Sequence, residues 1–495
     1  MTTTDVLIVG LGPVGATLAN LLGREGFRVL AVEKDSTVYP LPRAAHFDAE
    51  IMRIWQDLGL LNEVMAASRR APAYEFRNAK GEVLLRYDLD QVVVAPGFAP
   101  SWMFNQPDLE RALRAKLAEY PTVETRLGVR FEGFEQIGAD AIRATITDAS
   151  GKPQTVEARF VVGCDGASSP VRKALGITHF DYGFDEPWLV IDAQVKRPER
   201  MPNLNLQICD PVRPTTCVLM GPGRHRWEFM IRPGEDAQSF LDDKRIAELL
   251  RPWVNDGDVE IDRKAVYRFH GLVANEWRRG RIILAGDAAH QTPPFAGQGM
   301  CSGIRDAVNI AWKLTHVLRG EASEILLDTY QTEREPHIRA LTEAAIAMGR
   351  VVCTADPQAA AQRDAGMLAM RAAGQQPVPP PDPQLGPGAF MPNAPRAATI
   401  FPQDNVGGTY LDDVLGRGAW LIARSSSDIA GLKSPYLARI ESLDGAALEP
   451  FASKVAALLN TYQCDAVLVR PDRYTFGVGN ARELVEAYNA RLLAR

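Results

Sequence analysis

The chain has 495 residues, of which 46% are hydrophobic and 23% charged, so it can hold two or three domains with sizeable cores. A net charge of −6 argues against nucleic acid or an anionic membrane as the main partner. The six cysteines are scattered with no C-x-x-C pair, which excludes a local dithiol motif and a clustered metal site. Residues 6 to 23 are apolar, but Asp5 precedes them and Pro13 and four glycines interrupt them, so neither a targeting segment nor a membrane span is expected. A cytoplasmic protein is the expectation.

Val6 to Gly10 read as a buried strand, and Gly10, Gly12 and Gly15 match G-x-G-x-x-G. A helix follows with Val14, Leu18 and Leu21 on one face, then a second strand from Phe27 to Val32 ending in Glu33. Gly10 suits a tight turn, Gly12 a close approach of pyrophosphate, and Gly15 close helix–strand packing. The helix N-terminus offers unpaired N–H groups to phosphates, and Glu33 is spaced to accept hydrogen bonds from a ribose. A dinucleotide site is the expectation. A structural βαβ unit without ligand is the alternative.

Asp48 sits as an N-cap before a helix carrying Ile51, Ile54, Leu58 and Leu61. Tyr74 to Leu89 read as a hairpin around Lys80-Gly81, and Pro107 opens a helix with Leu109, Leu113 and Leu117 inward. Strands follow at Val129 to Glu135, Ala141 to Thr147 and Ala158 to Gly163, the last leading into Cys164-Asp165-Gly166. Residues 181–269 read as a sheet with one helix near Asp242 to Leu250. RIILAGDAAH reads as a buried strand, PPFAGQGM as a loop and IRDAVNIAWKLTHVL as a helix. The proline- and glycine-rich residues 374–395 read as a linker. Beyond them the pattern is βαβ-like: strand Ala419 to Ala423, helix Lys454 to Tyr462, strand Ala466 to Val469.

Asp287, at the end of a buried strand, stands where open α/β sheets bind ligands, although a turn-capping aspartate explains it equally well. The loop with Pro293, Pro294, Gly297, Gly299 and Gly303 favours the ligand, because it brings N–H groups and a positive helix end to the strand ends.

The three segments together, G-x-G-x-x-G with Glu33, CDGASSPVRKALG, and GDAAHQTPPFAGQG, resemble the single-component FAD-dependent aromatic hydroxylases with the para-hydroxybenzoate hydroxylase fold. The resemblance covers roughly residues 1–350 and implies an α/β architecture: a Rossmann-like FAD-binding domain interleaved with a β-sheet substrate domain. The implied FAD domain is 1–73, 101–180 and 270–373, and the substrate domain is 74–100 and 181–269. ICDPVRP, RWEFMIRPGE, LLDTYQTER and VLVRPDRYTFG look closest to the 3-(3-hydroxyphenyl)propionate hydroxylases, so 396–495 is expected to be thioredoxin-like without a redox role. Hydroxylases of resorcinol, hydroxybenzoate or polycyclic phenols are the alternatives.

The resemblance implies that Gly10, Gly12, Pro13, Val14, Gly15, Glu33 and Lys34 bind the ADP half of FAD. Gly286, Asp287 and Pro293 would meet the pyrophosphate and ribityl chain, and Gly297, Gly299 and Met300 the flavin edge. Asp165 and Gly166 would support FAD and NAD(P)H binding, with Arg43 and Gln106 on the flavin side. The implied chemistry is NAD(P)H and O2 used to hydroxylate a small phenol, through a C4a-hydroperoxyflavin. His46 is a candidate base, and a loop histidine held by hydrogen bonds explains it equally well. Arg213 is a candidate for a substrate carboxylate, and an outward-facing sheet arginine competes with that role. Tyr182, Trp188 and Phe229 would line the pocket, but core packing accounts for each as well. No metal is implied, and a homodimer is left open. A flavoprotein reductase or oxidase would need a second glycine motif or paired cysteines, and neither is present. A non-catalytic scaffold of the same fold is the remaining alternative.

Overall fold

The computed structural model describes residues 2–138, 140–375 and 384–494. The opening strand Thr2–Val9 pairs in parallel on both sides, with Val29–Glu33 and with Pro153–Gly163. The parallel set continues to Val123–Leu127 at one side and Ile282–Leu284 at the other. These strands are near-continuous apolar runs because both faces are covered: Val6, Leu7 and Ile8 are fully buried. The helix Pro13–Arg24 and the long helix Gly299–Leu318 pack together over one face. Arg130–Ile137 and Ala141–Thr147 extend Pro153–Gly163 as antiparallel strands.

A second sheet of eight strands runs in the order His290–Gln291, Val259–Ala274, His179–Val195, Arg224–Met230, Thr215–Leu219, Asn205–Cys209, Ala73–Asn78, Val83–Asp88. The early hairpin joins it through a parallel pairing of Ala73–Asn78 with Asn205–Cys209. Two strands, His179–Val195 and Val259–Ala274, are long and run unbroken through positions 181 and 270, where the sequence suggested boundaries. The helix Asp243–Leu250 covers the far face, capped by the Asp242 side chain.

The strand expected over RIILAGDAAH is shorter than predicted. It spans Ile282–Leu284, and Gly286–Ala288 form a 3-10 turn with Gly286 at φ 60°. The turn lifts Asp287 out of the sheet. The helix after the loop begins at Gly299, earlier than the apolar periodicity indicated.

Residues 376–383 of the stretch expected to be a linker lie outside the described residues, and 384–395 are anchored to the protein at several points. Leu385, Ala389 and Phe390 are buried, Gly386 N–H donates to the Glu333 carbonyl, and a Cβ on Gly388 would strike the Glu333 side chain. The C-terminal sheet has the order Leu437–Ser442, Ala419–Ala423, Ala466–Val469, Thr475–Gly479, with only the first pair parallel. The helix Ala481–Leu492 packs against it. Among the described residues no helix is long and apolar enough to cross a membrane, and no cluster of metal-ligating side chains occurs.

Candidate active site

The strand ends of the parallel sheet open into a cavity of about 2210 Å³ that continues to the face of the second sheet. Ligand pockets commonly measure ~300–1,000 Å³, so this one has room for a dinucleotide and a second molecule. At one end lies the glycine turn. Gly10 has φ 97°, and a Cβ there would collide with the Cys164 carbonyl, while a Cβ on Gly15 would strike the Gly10 carbonyl. Gly12 differs: nothing lies within 4 Å of its would-be Cβ, which opens onto the cavity. The Leu11 N–H donates to Glu33 Oε2 at 2.8 Å and Asp35 N–H to Oε1 at 3.1 Å, fixing the acid beside the turn.

Asp165 accepts from Val171 N–H through Oδ2 at 2.9 Å, and its buried Oδ1 has no partner. The Gly286 turn rests on Val14, 3.0 Å from the would-be Cβ, and its N–H donates to Asp306 Oδ2 at 3.1 Å. Asp306 is buried between His290 (2.6 Å) and Arg334 (2.9 Å), so an ion network braces the turn from below. Asp287 faces the cavity; the surrounding protein raises its carboxyl pKa, opposed by His290 and Arg43. Gly297, Gly299 and Met300 bring the N-terminus of the 20-residue helix to the same space. Gln106 accepts from Ala44 N–H at 2.6 Å and donates to Glu110 at 2.7 Å, holding the 42–46 loop against the cavity. Arg43 lies there too, 3.8 Å from Glu110.

Two helix N-termini, an open glycine turn and an unpartnered buried carboxylate oxygen in one long cleft fit an FAD. A scan against family models matches residues 3–345 to the FAD binding domain family.

The chain belongs to this family.

A probable NADH-specific resorcinol 4-hydroxylase of Rhodococcus jostii (strain RHA1) is 38% identical, over 98% of this chain and 95% of that one. A 3-(3-hydroxy-phenyl)propionate/3-hydroxycinnamic acid hydroxylase of Mycobacterium sp. (strain JLS) is 36% identical, over 89% of this chain and 79% of its own. Among solved structures, the rebeccamycin biosynthetic enzyme RebC with reduced flavin is 26% identical with a TM-score of 0.78, each chain covered to 99%. The p-nitrophenol 4-monooxygenase PnpA of Pseudomonas putida DLL-E4 is 28% identical with a TM-score of 0.68, over 75% of this chain and 94% of that one. This family member is an FAD-dependent aromatic monooxygenase.

Most residues singled out from the sequence of this monooxygenase line the cleft: Gly10, Gly12, Pro13, Val14, Glu33, Lys34, Arg43, His46, Gln106, Asp165, Gly166, Asp287, Gly297, Gly299 and Met300. Gly15, Gly286 and Pro293 do not line it, and Gly15 and Gly286 shape the turns that do. His46 has Nδ1 3.2 Å from the Gly297 carbonyl, and burial lowers its pKa.

The structure does not bring the four expected substrate contacts to the cleft. Arg213 is held by Glu235 at 2.6 and 2.7 Å and donates to the Met230 carbonyl. Trp188 is buried against Phe269 and Phe295, Phe229 lies in the core on the other face of the sheet, and Tyr182 contacts Arg339.

The sheet instead presents Tyr74, Asn205, Gln207, Thr216, Arg226, Glu228 and Tyr267. Their signal was present but subtle. In NLQIC, TTCVL and RHRWEFM the cleft-lining residues Asn205 and Gln207, Thr216, and Arg226 and Glu228 alternate with Leu206, Cys217, Trp227 and Phe229, which pack in the core, but the adjacent polar residues Thr215 and His225 blur the pattern. Burial pushes Glu228 up to about 7, with Asp192 adding to the rise and Arg226 and Arg263 opposing it.

Proposed function

We propose that this FAD-dependent monooxygenase hydroxylates a small neutral phenol of the resorcinol type, with NAD(P)H as reductant and O2 as oxidant. One observation carries the choice of substrate. The two basic residues of the second sheet that line the cleft, Arg86 and Arg226, are both committed. Arg86 pairs with Glu75 and Asp88; Arg226 pairs with Asp192 and donates to the Pro42 and Arg43 carbonyls. With Arg213 turned to Glu235, this sheet offers no uncommitted cation to the cleft among the described residues. The full-length likeness to a relative named as a resorcinol hydroxylase supports the same choice, and its name favours NADH over NADPH. A carboxylated phenol such as 3-(3-hydroxyphenyl)propionate is the second reading, supported by the relatives that bear that name.

In this reading Gly10, Gly12, Pro13, Val14, Glu33 and Lys34 hold the adenylate half of FAD. Asp287, with Gly297 to Met300, meets the ribityl and ring portion, and Asp165 contributes its open oxygen. When bound, FAD supplies the electron transfer and oxygen activation. The protein orients the phenol, keeps water out and stabilises its ionised form. Residues 396–495 are read as thioredoxin-like on their strand order, and a redox role is set aside because they contain one cysteine, Cys464.

The test is NADH and NADPH oxidation by the holoenzyme, stimulated in turn by resorcinol, 3-(3-hydroxyphenyl)propionate and hydroxybenzoates, with product identified. Efficient hydroxylation of resorcinol is expected. Turnover confined to the carboxylated phenols would reverse the choice.

A further inference from the structure

A chain of hydrogen bonds crosses the wall of the cleft. Tyr74 Oη is 3.1 Å from the Phe295 carbonyl, Gln207 Nε2 is 2.7 Å from Tyr74 Oη, and Thr216 Oγ1 is 2.7 Å from Gln207 Oε1. Its polarity is fixed from one end. A carbonyl oxygen only accepts, so Tyr74 donates its single hydrogen to Phe295. Gln207 therefore donates to Tyr74 through nitrogen and turns its oxygen to Thr216, which donates in its turn. Thr216 is left with lone pairs alone.

Directly across the ladder from Thr216 stands Glu228, on the same face and also lining the cleft. Such partners have Cβ atoms ~5 Å apart. The nearest cation to Glu228 is Arg226, at 3.7 Å, and that guanidinium is engaged by Asp192 and two loop carbonyls. The other charged or titratable groups around Glu228 are Asp192 on the adjacent strand, Arg263 and Tyr267 on the strand beyond it, Tyr74 in the hydrogen-bonded chain, and Arg43 and His46 of the 42–46 loop, which also line the cleft.

We propose that Thr216 and Glu228 form an acceptor-only subsite for a hydroxyl group of the phenolic substrate, and that Glu228 takes the proton of that hydroxyl. The phenolic O–H bond breaks, a carboxyl O–H bond forms on Glu228, and the electron pair stays on the substrate oxygen as phenolate. With Glu228 ionised, the subsite rejects a carboxylate, which would meet only lone pairs and a second carboxylate. The proposal deepens the substrate reading above and rests on it.

The test compares wild-type holoenzyme with Glu228→Gln and Thr216→Val on resorcinol. Glu228→Gln is expected to keep its FAD and lower kcat by about 100-fold or more, within the ~10²–10⁴-fold typical of general-base assistance. It should also lose the limb of the pH profile that rises near pH 7. Thr216→Val is expected to raise KM about tenfold and keep that limb. A Glu228→Gln enzyme that holds FAD, turns over within about threefold of wild type and keeps the limb would overturn the proposal. Should that variant lose FAD, Glu228→Asp and Thr216→Val decide instead, and an unchanged KM and pH profile in both overturns it. If the wild type accepts only carboxylated phenols, the substrate reading falls, while the same variants assayed on the acid still decide the role of Glu228.

Discussion

Gly10 lies against the Cys164 carbonyl so closely that no Cβ fits between them, and its φ of 97° would strain any L side chain. The two residues end adjacent parallel strands, so the turn is a product of sheet pairing as much as of its own glycines. Gly10→Ala is expected to cost about 2–5 kcal/mol, from backbone strain and overpacking together. Gly12→Ala, whose added methyl meets nothing within 4 Å, should leave the melting temperature close to wild type. It should nonetheless weaken FAD retention, because the methyl occupies the cleft. Thermal unfolding of the apoprotein and flavin absorbance of the holoprotein separate the two effects.

Glu228 gives a pH-dependent stability prediction. Burial lifts its pKa to about 7, above the ordinary 4.5. Between those values the folded state binds more protons than the unfolded one, so this group's contribution falls as pH rises from about 4.5 and levels off above 7. Glu228→Gln should therefore stabilise the protein at pH 8, by about 3 kcal/mol at most, and have little effect at pH 4. A gain in melting temperature with no pH dependence would contradict this.

Glu333 joins the long helices to the C-terminal sheet. Its carboxylate takes hydrogen bonds from Asn309 (2.8 Å), Ala389 N–H (2.7 Å) and Arg470 (2.9 and 3.0 Å), with Lys313 also at 2.9 Å. Glu333→Ala would leave buried Lys313 without a counter-ion and Arg470 with Asp472 alone, and is expected to cost about 3–5 kcal/mol, read from urea unfolding. Burial raises the Glu333 pKa, but Arg470 and Lys313 outweigh it and hold it well below the usual range. Its contribution is complete above the unfolded value and disappears as pH falls toward the folded one, so Glu333→Gln should flatten the acid side of the stability curve.

Arg213→Ala should leave KM for a phenolic substrate within about twofold of wild type, because the guanidinium is committed to Glu235 outside the cleft. The pair is partly exposed, so the stability loss should stay near or below about 1 kcal/mol.

His46→Ala tests the other candidate base. With Nδ1 turned to the Gly297 carbonyl, the ring is expected to hold the loop beside it. The variant should lower turnover while preserving the pH limb near 7. Loss of that limb would transfer the proton-accepting role to His46.

The sequence by itself determined the dinucleotide-binding half of this protein. Gly10, Gly12, Gly15 and Glu33 lie within one βαβ unit, where local geometry dictates the residue types. The Asp287 and Gly297 segments declared themselves through the same logic of turns and helix ends. Only the tertiary structure decided the wall that the second sheet gives the cleft. Gln207, Thr216 and Glu228 come from three successive antiparallel strands and Tyr74 from a strand 133 residues before Gln207, and which of them face one another is set by sheet register. Arg213 misled for the matching reason: its fork is suited to a carboxylate, and the fold supplied one in Glu235. Residue chemistry is written along the chain, but which partner satisfies it is settled by packing.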